Sequence, residues 1–154
     1  MTVHEAPVGA SVEWYTPAGL VDQLGHFDLD PACGDPTRCH VDARMHWSVD
    51  GDVRPYFGRT WLNPPYGPRG VPFIESMIEH RRGLLLLPAR TETRIFQQAA
   101  EAADAVCFLR ERLWFERNDG FTGRSSFGSV LFAYRDSIPE HLGWSVGTRE
   151  GEAG

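Results

Sequence analysis

The 154-residue chain has no lysine: all 15 of its basic side chains are arginine. Mechanisms that need a lysine Schiff base or a P-loop lysine are therefore excluded. Long hydrophobic runs are missing too. Runs such as Leu84–Leu87 are far too short to span a bilayer, and no membrane partner is expected. The opening stretch MTVHEAPVGASVEW carries acids and lacks an apolar core, so it does not read as a secretory signal. Cysteine is scarce, with only Cys33, Cys39 and Cys107. That odd, sparse set argues against a disulfide scaffold and favours a reducing cytoplasm. An excess of positive charge is also absent. A net charge of -6 excludes a basic coat that binds nucleic acid blind to sequence.

What is present suits a folded domain. The chain is 42% hydrophobic and 23% charged, which argues against disorder, and its length suits one domain over residues 13–143. Residues 1–12 read as a flexible arm, and the Gly-rich, polar residues 144–154 as a flexible tail. Between them, helical and strand patterns alternate. Pro17–Leu24 reads as a short helix capped by Thr16. Phe27–Asp30 reads as a strand ending in the turn PACGDP, and one further strand falls near Arg44–Ser48. Arg59–Leu62 reads as a strand running into NPPYGPRG. Val71–Arg82 carries a helical stripe of Phe73, Ile74, Met77 and Ile78. Gly83–Leu87 has the continuous apolar run of a strand buried on both faces. A helix capped by Thr91 then runs to Ala103, followed by a strand at Ala105–Leu109. Leu113–Glu116 and Ser129–Tyr134 read as a late antiparallel strand pair around the loop 118–128. The alternation predicts an α/β fold with a mostly parallel sheet and helices on both faces. Ligands of such sheets bind at the carboxyl ends of the strands, where both Gly/Pro-rich turns would lie.

The second of those turns carries the chemistry. In Asn63-Pro64-Pro65-Tyr66, two prolines fix two φ angles and remove two donors, leaving a stiff segment with free carbonyl oxygens. Asn63 adds a side-chain acceptor and Tyr66 a flat aromatic face. Two acceptors and a ring suit a planar heterocycle with an exocyclic amino group. Asp50, in the VDGD stretch, is a candidate for ribose hydroxyls, as acids at such positions often are. The types in Cys33, Cys39, His40 and His46 are those of metal ligands, but their spacing matches no tight zinc pattern and no metal is expected. Residues 81–124 hold eight arginines against six acids. Of these, Arg90, Arg112 and Arg124 fall near strand ends or the late loop, so they are the candidates for phosphate contacts.

These segments form an ordered set: Tyr15-Thr16-Pro17 before a helix, Asp30-Pro31-Ala32-Cys33-Gly34, NPPY, LLLLPART, FLRERLWF and FGSVLFAY. NPPY is the catalytic motif of amino-methyltransferases that use S-adenosylmethionine. The set, running over Glu13 to Tyr134, resembles the small phage-type, Dam-like DNA N6-adenine methyltransferases. The resemblance implies a trimmed Rossmann-like methyltransferase fold, since too few residues separate Gly34 from Asn63 for a full βαβα stretch. It further implies S-adenosylmethionine as cofactor, held by Tyr15, Thr16, Pro17, Asp28, Asp30, Pro31, Ala32, Cys33, Gly34 and Asp50. Catalysis would fall to Asn63, Pro64, Pro65 and Tyr66, acting on an adenine flipped from double-stranded DNA. With no separate recognition domain, a homodimer or a partner protein would help to read sequence. The location would be cytoplasmic, in a bacterial host if the gene is phage-borne. Methylation of RNA adenine or of protein glutamine is a second reading of the same motif. An inactive methyltransferase-like DNA-binding or assembly module is a third.

Overall fold

The computed structural model describes residues 14–117, 119 and 121–147. The expected arm at 1–12, and the tail beyond residue 147, lie outside the described residues.

Strands β1 (Trp14–Tyr15), β2 (Phe27–Asp30), β3 (Ala43–His46), β4 (Thr60–Leu62) and β5 (Gly83–Pro88) precede β6 (Ala105–Leu109), β7 (Trp114–Arg117), β8 (Thr122–Arg124), β9 (Ser129–Tyr134) and β10 (Gly143–Gly147). Among the described residues three α-helices interrupt them: α1 (Ala18–Val21), α2 (Val71–His80) and α3 (Arg94–Ala102). Among the described residues no helix is long and apolar enough to cross a membrane.

Seven strands form one sheet in the order β10-β6-β9-β5-β4-β2-β3. Its β3–β2, β2–β4 and β4–β5 pairs are parallel, while β5–β9, β9–β6 and β6–β10 are antiparallel. The sheet is thus mixed, which corrects the expectation of a mostly parallel, Rossmann-like one. The pairing of the late strands explains the difference. β9 was expected beside β7, yet it inserts antiparallel between β5 and β6, with Leu85 opposite Phe132 and Cys107 opposite Leu131. All six residues of β9 are buried, as are Gly83–Leu87 of β5. Two runs this apolar stabilise one another at the sheet centre. β7 pairs instead with β1 and β8 in a separate three-stranded sheet.

Helices do not cover both faces equally. α2 and α3 lie on one face, where Ile74, Met77, Phe96 and Ala99 pack against Leu85, Leu87, Val130 and Phe132. The other face is covered by the single turn of α1 (Leu20, Val21) and by Phe115 of the small sheet, packed on Phe27, Trp61, Leu84 and Leu131. Two expected caps shift. Thr93 rather than Thr91 caps α3, accepting from the Phe96 N–H at 3.4 Å. Pro17 occupies the cap position of α1, and no side chain caps it. Residues 143–147, expected largely as tail, form β10, an edge strand along β6.

The directions of the strands place the site. β2, β3, β4, β5 and β6 run the same way, so the segments after Asp30, His46, Leu62, Pro88 and Leu109 all leave from one edge. Ser129 sits opposite Pro88, so the loop leading into β9 returns to that edge as well.

Candidate active site

Asn63, Pro64, Pro65 and Tyr66 leave the end of β4 and turn into the 3-10 turn Gly67–Gly70 that opens α2. Gly70 permits this close turn: a Cβ there would collide with the carbonyl oxygen of Pro65 and lie 3.6 Å from Pro64 Cβ. The Asn63 amide nitrogen donates to Thr16 Oγ1 at 3.0 Å and to the Trp14 carbonyl at 3.3 Å. Both amide donors are thereby anchored, and among the described residues no hydrogen bond uses Oδ1, so the oxygen is left as an open acceptor. Thr16, expected as a helix cap, instead orients this amide.

The prolines form a wall shared by two cavities. One, of about 550 Å³, is lined by Pro31, Ala32, Cys33 and Gly34 after β2, by residues 47–52 after β3, and by Phe73 of α2. Asn63, Pro64, Pro65 and Tyr66 close it. Asp50 and Asp52, set against Arg69 alone, leave its lining acidic on balance. Gly51 between them is essential to its shape, since a Cβ would strike the Pro31 carbonyl oxygen and stand 2.9 Å from the Phe73 ring. The other cavity, of about 840 Å³, lies across the wall. Its lining is mainly apolar: Val71, Ile74, Phe96, Phe115, Phe121 and Phe127, with Arg90 and Arg124 among it. Trp14, Pro64, Pro65 and Tyr66 belong to both. Tyr66 is 46% exposed, and desolvation of its phenol pushes the pKa up to about 12. The hydroxyl is neutral at physiological pH, as an ordinary phenol is.

The predicted ligand residues divide. Pro31, Ala32, Cys33, Gly34 and Asp50 line the acidic cavity. Tyr15, Thr16 and Asp30 line a small crevice adjoining it. Tyr15 is buried and its hydroxyl accepts the Asp35 N–H at 3.1 Å, tying β1 to the turn after β2. Asp30 is 3% exposed and faces His46 Nδ1 at 3.1 Å. Burial pushes its carboxyl up, and the His46 contact opposes that shift. Two predicted residues lie apart from the cavities. Asp28 does not line either cavity; its Oδ2 accepts the Arg59 N–H at 2.7 Å, a structural role beneath β4. Pro17 caps α1 and lines neither cavity. The three arginines divide as well. Arg90 and Arg124 line the apolar cavity, and Arg90 lies 5.3 Å from the Phe127 ring centroid while pairing with Glu92. Arg112 is outside that lining and donates to the Ser125 carbonyl at 3.3 Å.

Sequence reasoning missed Trp14, Trp47, Asp52, Phe73, Phe121 and Phe127. Phe121 and Phe127 were the most visible, since exposed aromatics in a Gly/Ser-rich loop are a recognisable contact signal. It also missed a bond: Cys33 and Cys39, expected to be reduced, form a disulfide with Cα atoms 6.1 Å apart. Compared with protein-family models, with curated proteins and with solved structures, the chain matches none.

Proposed function

We propose that the protein is a DNA adenine-N6 methyltransferase that uses S-adenosylmethionine as methyl donor. The observation that carries this reading is the Asn63–Tyr66 wall between an acidic cavity and an apolar one, with Asn63 Oδ1 as an open acceptor. Residues that line both cavities stand where two molecules bound in them would meet. The acidic cavity fits a cationic donor. Its volume of about 550 Å³ lies in the ordinary range of small-molecule sites, roughly 300–1,000 Å³. Asp50 and Asp52 would meet its ribose and ammonium groups.

The donor supplies an electrophilic methyl group on a sulfonium, so the chain itself must orient the nucleophile. Asn63 Oδ1 and the Pro64 carbonyl would accept the two N–H bonds of adenine N6. That favours a pyramidal nitrogen whose lone pair points at the methyl carbon. The bound donor would supply the methyl group, and the electron pair of its S–C bond would leave on sulfur. One N6 proton then passes to solvent. Fixed dipoles and positioning provide the acceleration, and no tuned base is required. Reaching N6 in a duplex requires the base to be flipped out. Tyr66 would stack on it, a contact worth about 1–3 kcal/mol, and Phe121 and Phe127 offer further apolar surface.

Expression of the chain in a host lacking adenine methylation, followed by digestion of its DNA, tests the reading. N6-methyladenine above the empty-vector level is expected, together with a calorimetric signal for S-adenosylmethionine. A methylated protein band with unmodified DNA would transfer the reading to an amide substrate. No heat and no thermal shift with the donor would leave only a binding module.

A further inference from the structure

Beneath the acidic cavity four ligand-type side chains converge. Asp30 at the end of β2, His46 at the end of β3, Cys33 in the turn after β2 and Cys39 beyond it bring their donor atoms within 4.8 Å of one another. The backbone fixes this meeting. Asp30 and His46 are register partners on adjacent parallel strands, and the Cys33 N–H donates to the Trp47 carbonyl at 3.0 Å. Asp30 and Cys33 are buried, and Cys39 and His46 are partly so. Among the described residues the Asp30 carboxylate meets only His46 and the Ala32 N–H, so no fixed cation offsets its burial, and a metal ion would do so.

We propose that, once the Cys33–Cys39 bond is reduced, Asp30, Cys33, Cys39 and His46 form a structural Zn2+ site. Two thiolates, one imidazole and one carboxylate make a closed four-ligand set of the kind that holds zinc tetrahedrally. With Zn–S distances of about 2.3 Å, tetrahedral geometry puts two sulfurs about 3.8 Å apart, so the bonded pair needs only to open by side-chain rotation. The redox step balances with an added reductant. A phosphine gives two electrons to the S–S bond, the two sulfurs take two protons, and water oxygen ends on the phosphine oxide. On loading, each thiol gives its proton to solvent and its electron pair to the metal. Disulfide and zinc are thus alternative closures of the same turn. The sequence obscured the site because two of its ligands come from neighbouring strands rather than from one tight motif.

The test uses the full chain and does not depend on methyl transfer. Metal-free protein is reduced with a phosphine, and its thiols are counted. Co2+ is then added as a spectroscopic probe. The expected result is one equivalent of Co2+ with tetrahedral ligand-field bands and a thiolate-to-metal band, displaced by one equivalent of Zn2+. The oxidised protein should give neither band. Cys39→Ser and His46→Gln should each weaken Zn2+ binding by at least about 10–100-fold, since even outer-shell partners cost that much. Cys107→Ser, at a buried cysteine outside the cluster, should change nothing. His46→Gln leaves both cysteines in place, so it serves if Cys39→Ser does not fold by circular dichroism. Resistance of the pair to the phosphine, no Co2+ binding by the reduced chain, octahedral bands alone, or full binding by the two ligand variants would each overturn the proposal.

Discussion

The two cavities flanking Pro64 and Pro65 are built by different means. The acidic one is walled by short turns that end the parallel strands β2, β3 and β4. Each turn is set by local chemistry, such as the clash-free approach of Gly51 to Pro31. The apolar one is assembled from distant parts of the chain: the start of α2, the end of β5, the start of α3 and the β7–β8 hairpin. A pocket made from strand-end turns inherits the rigidity of its sheet, whereas one closed by an exposed hairpin inherits the hairpin's weaker hold. Donor binding and duplex binding should therefore respond to different substitutions, and each prediction below tries to separate them.

The largest effect belongs to the shared wall. Asn63→Ala removes the open acceptor without touching Asp50 or Asp52. Methyl transfer to duplex DNA should fall by at least about 10²–10³-fold, the scale seen when one positioned polar group is lost. Calorimetric affinity for S-adenosylmethionine should be largely retained. A variant that retains full transfer would remove the proposed role of the amide.

Gly70→Ala should act next most strongly. The added Cβ meets the Pro65 carbonyl oxygen, so the wall must shift for the residue to fit. Overpacking of this kind costs about 1–3 kcal/mol, readable as a lower thermal midpoint, and transfer should fall with it. Gly128→Ala, in the loop leading into β9, meets nothing within 4 Å and should leave both midpoint and transfer unchanged. Equal effects of the two would mean that the turn before α2 is not the more constrained region.

On the apolar side, Arg124→Ala should weaken duplex binding without altering donor binding. Removal of one phosphate contact lowers the slope of log affinity against log salt by about 0.9. Fluorescence anisotropy of a labelled duplex over a salt series measures it. With a net charge of -6, the parent protein should bind DNA weakly and with marked salt sensitivity. An unchanged slope in the variant would place the phosphates elsewhere.

The same contrast governs how much the sequence disclosed. β2 and β6 coincide with their expected spans, and α2 and β5 nearly so, because apolar runs, apolar alternation and a helical stripe are local signals. The turns after Asp30 and Leu62 could be placed at one edge for the same reason. What was hidden depends on pairing. Nothing local tells β9 to lie between β5 and β6, so the mixed character of the sheet was missed. The segment 143–147 is short and has a glycine at each end, and it forms a strand because β6 offers an open edge. Thr16 shows the limit at the site: in sequence a threonine before a proline reads as a cap, and only the fold reveals that it holds Asn63. Asp28 shows the converse, an acid of suitable type that the fold commits to the Arg59 backbone.

The smallest effect should come from acid, and it should appear only on the apolar side. Asp119 follows β7, accepts from Arg117 and takes the Phe121 N–H at 3.0 Å. The Arg117 hydrogen bonds, and then the Phe121 N–H, hold its carboxyl down from 3.8 to about 2. A depressed carboxyl contributes order that is fully present above its ordinary pKa and is lost as pH falls through the lowered one. Between pH of about 4 and about 2, the turn carrying Phe121 should therefore loosen. Arg117 lies 5.7 Å from the Trp14 ring centroid and 4.7 Å from that of Phe121, so tryptophan fluorescence should report the change. Because the pair is exposed, solvent screens it, and only a modest spectral shift is expected, ahead of any loss of far-ultraviolet dichroism. Asp119→Asn removes the titrating group and should abolish that early component while leaving the later unfolding in place. Survival of the early component in the variant would assign it to another carboxylate and would weaken the view that this hairpin is the less firmly held wall.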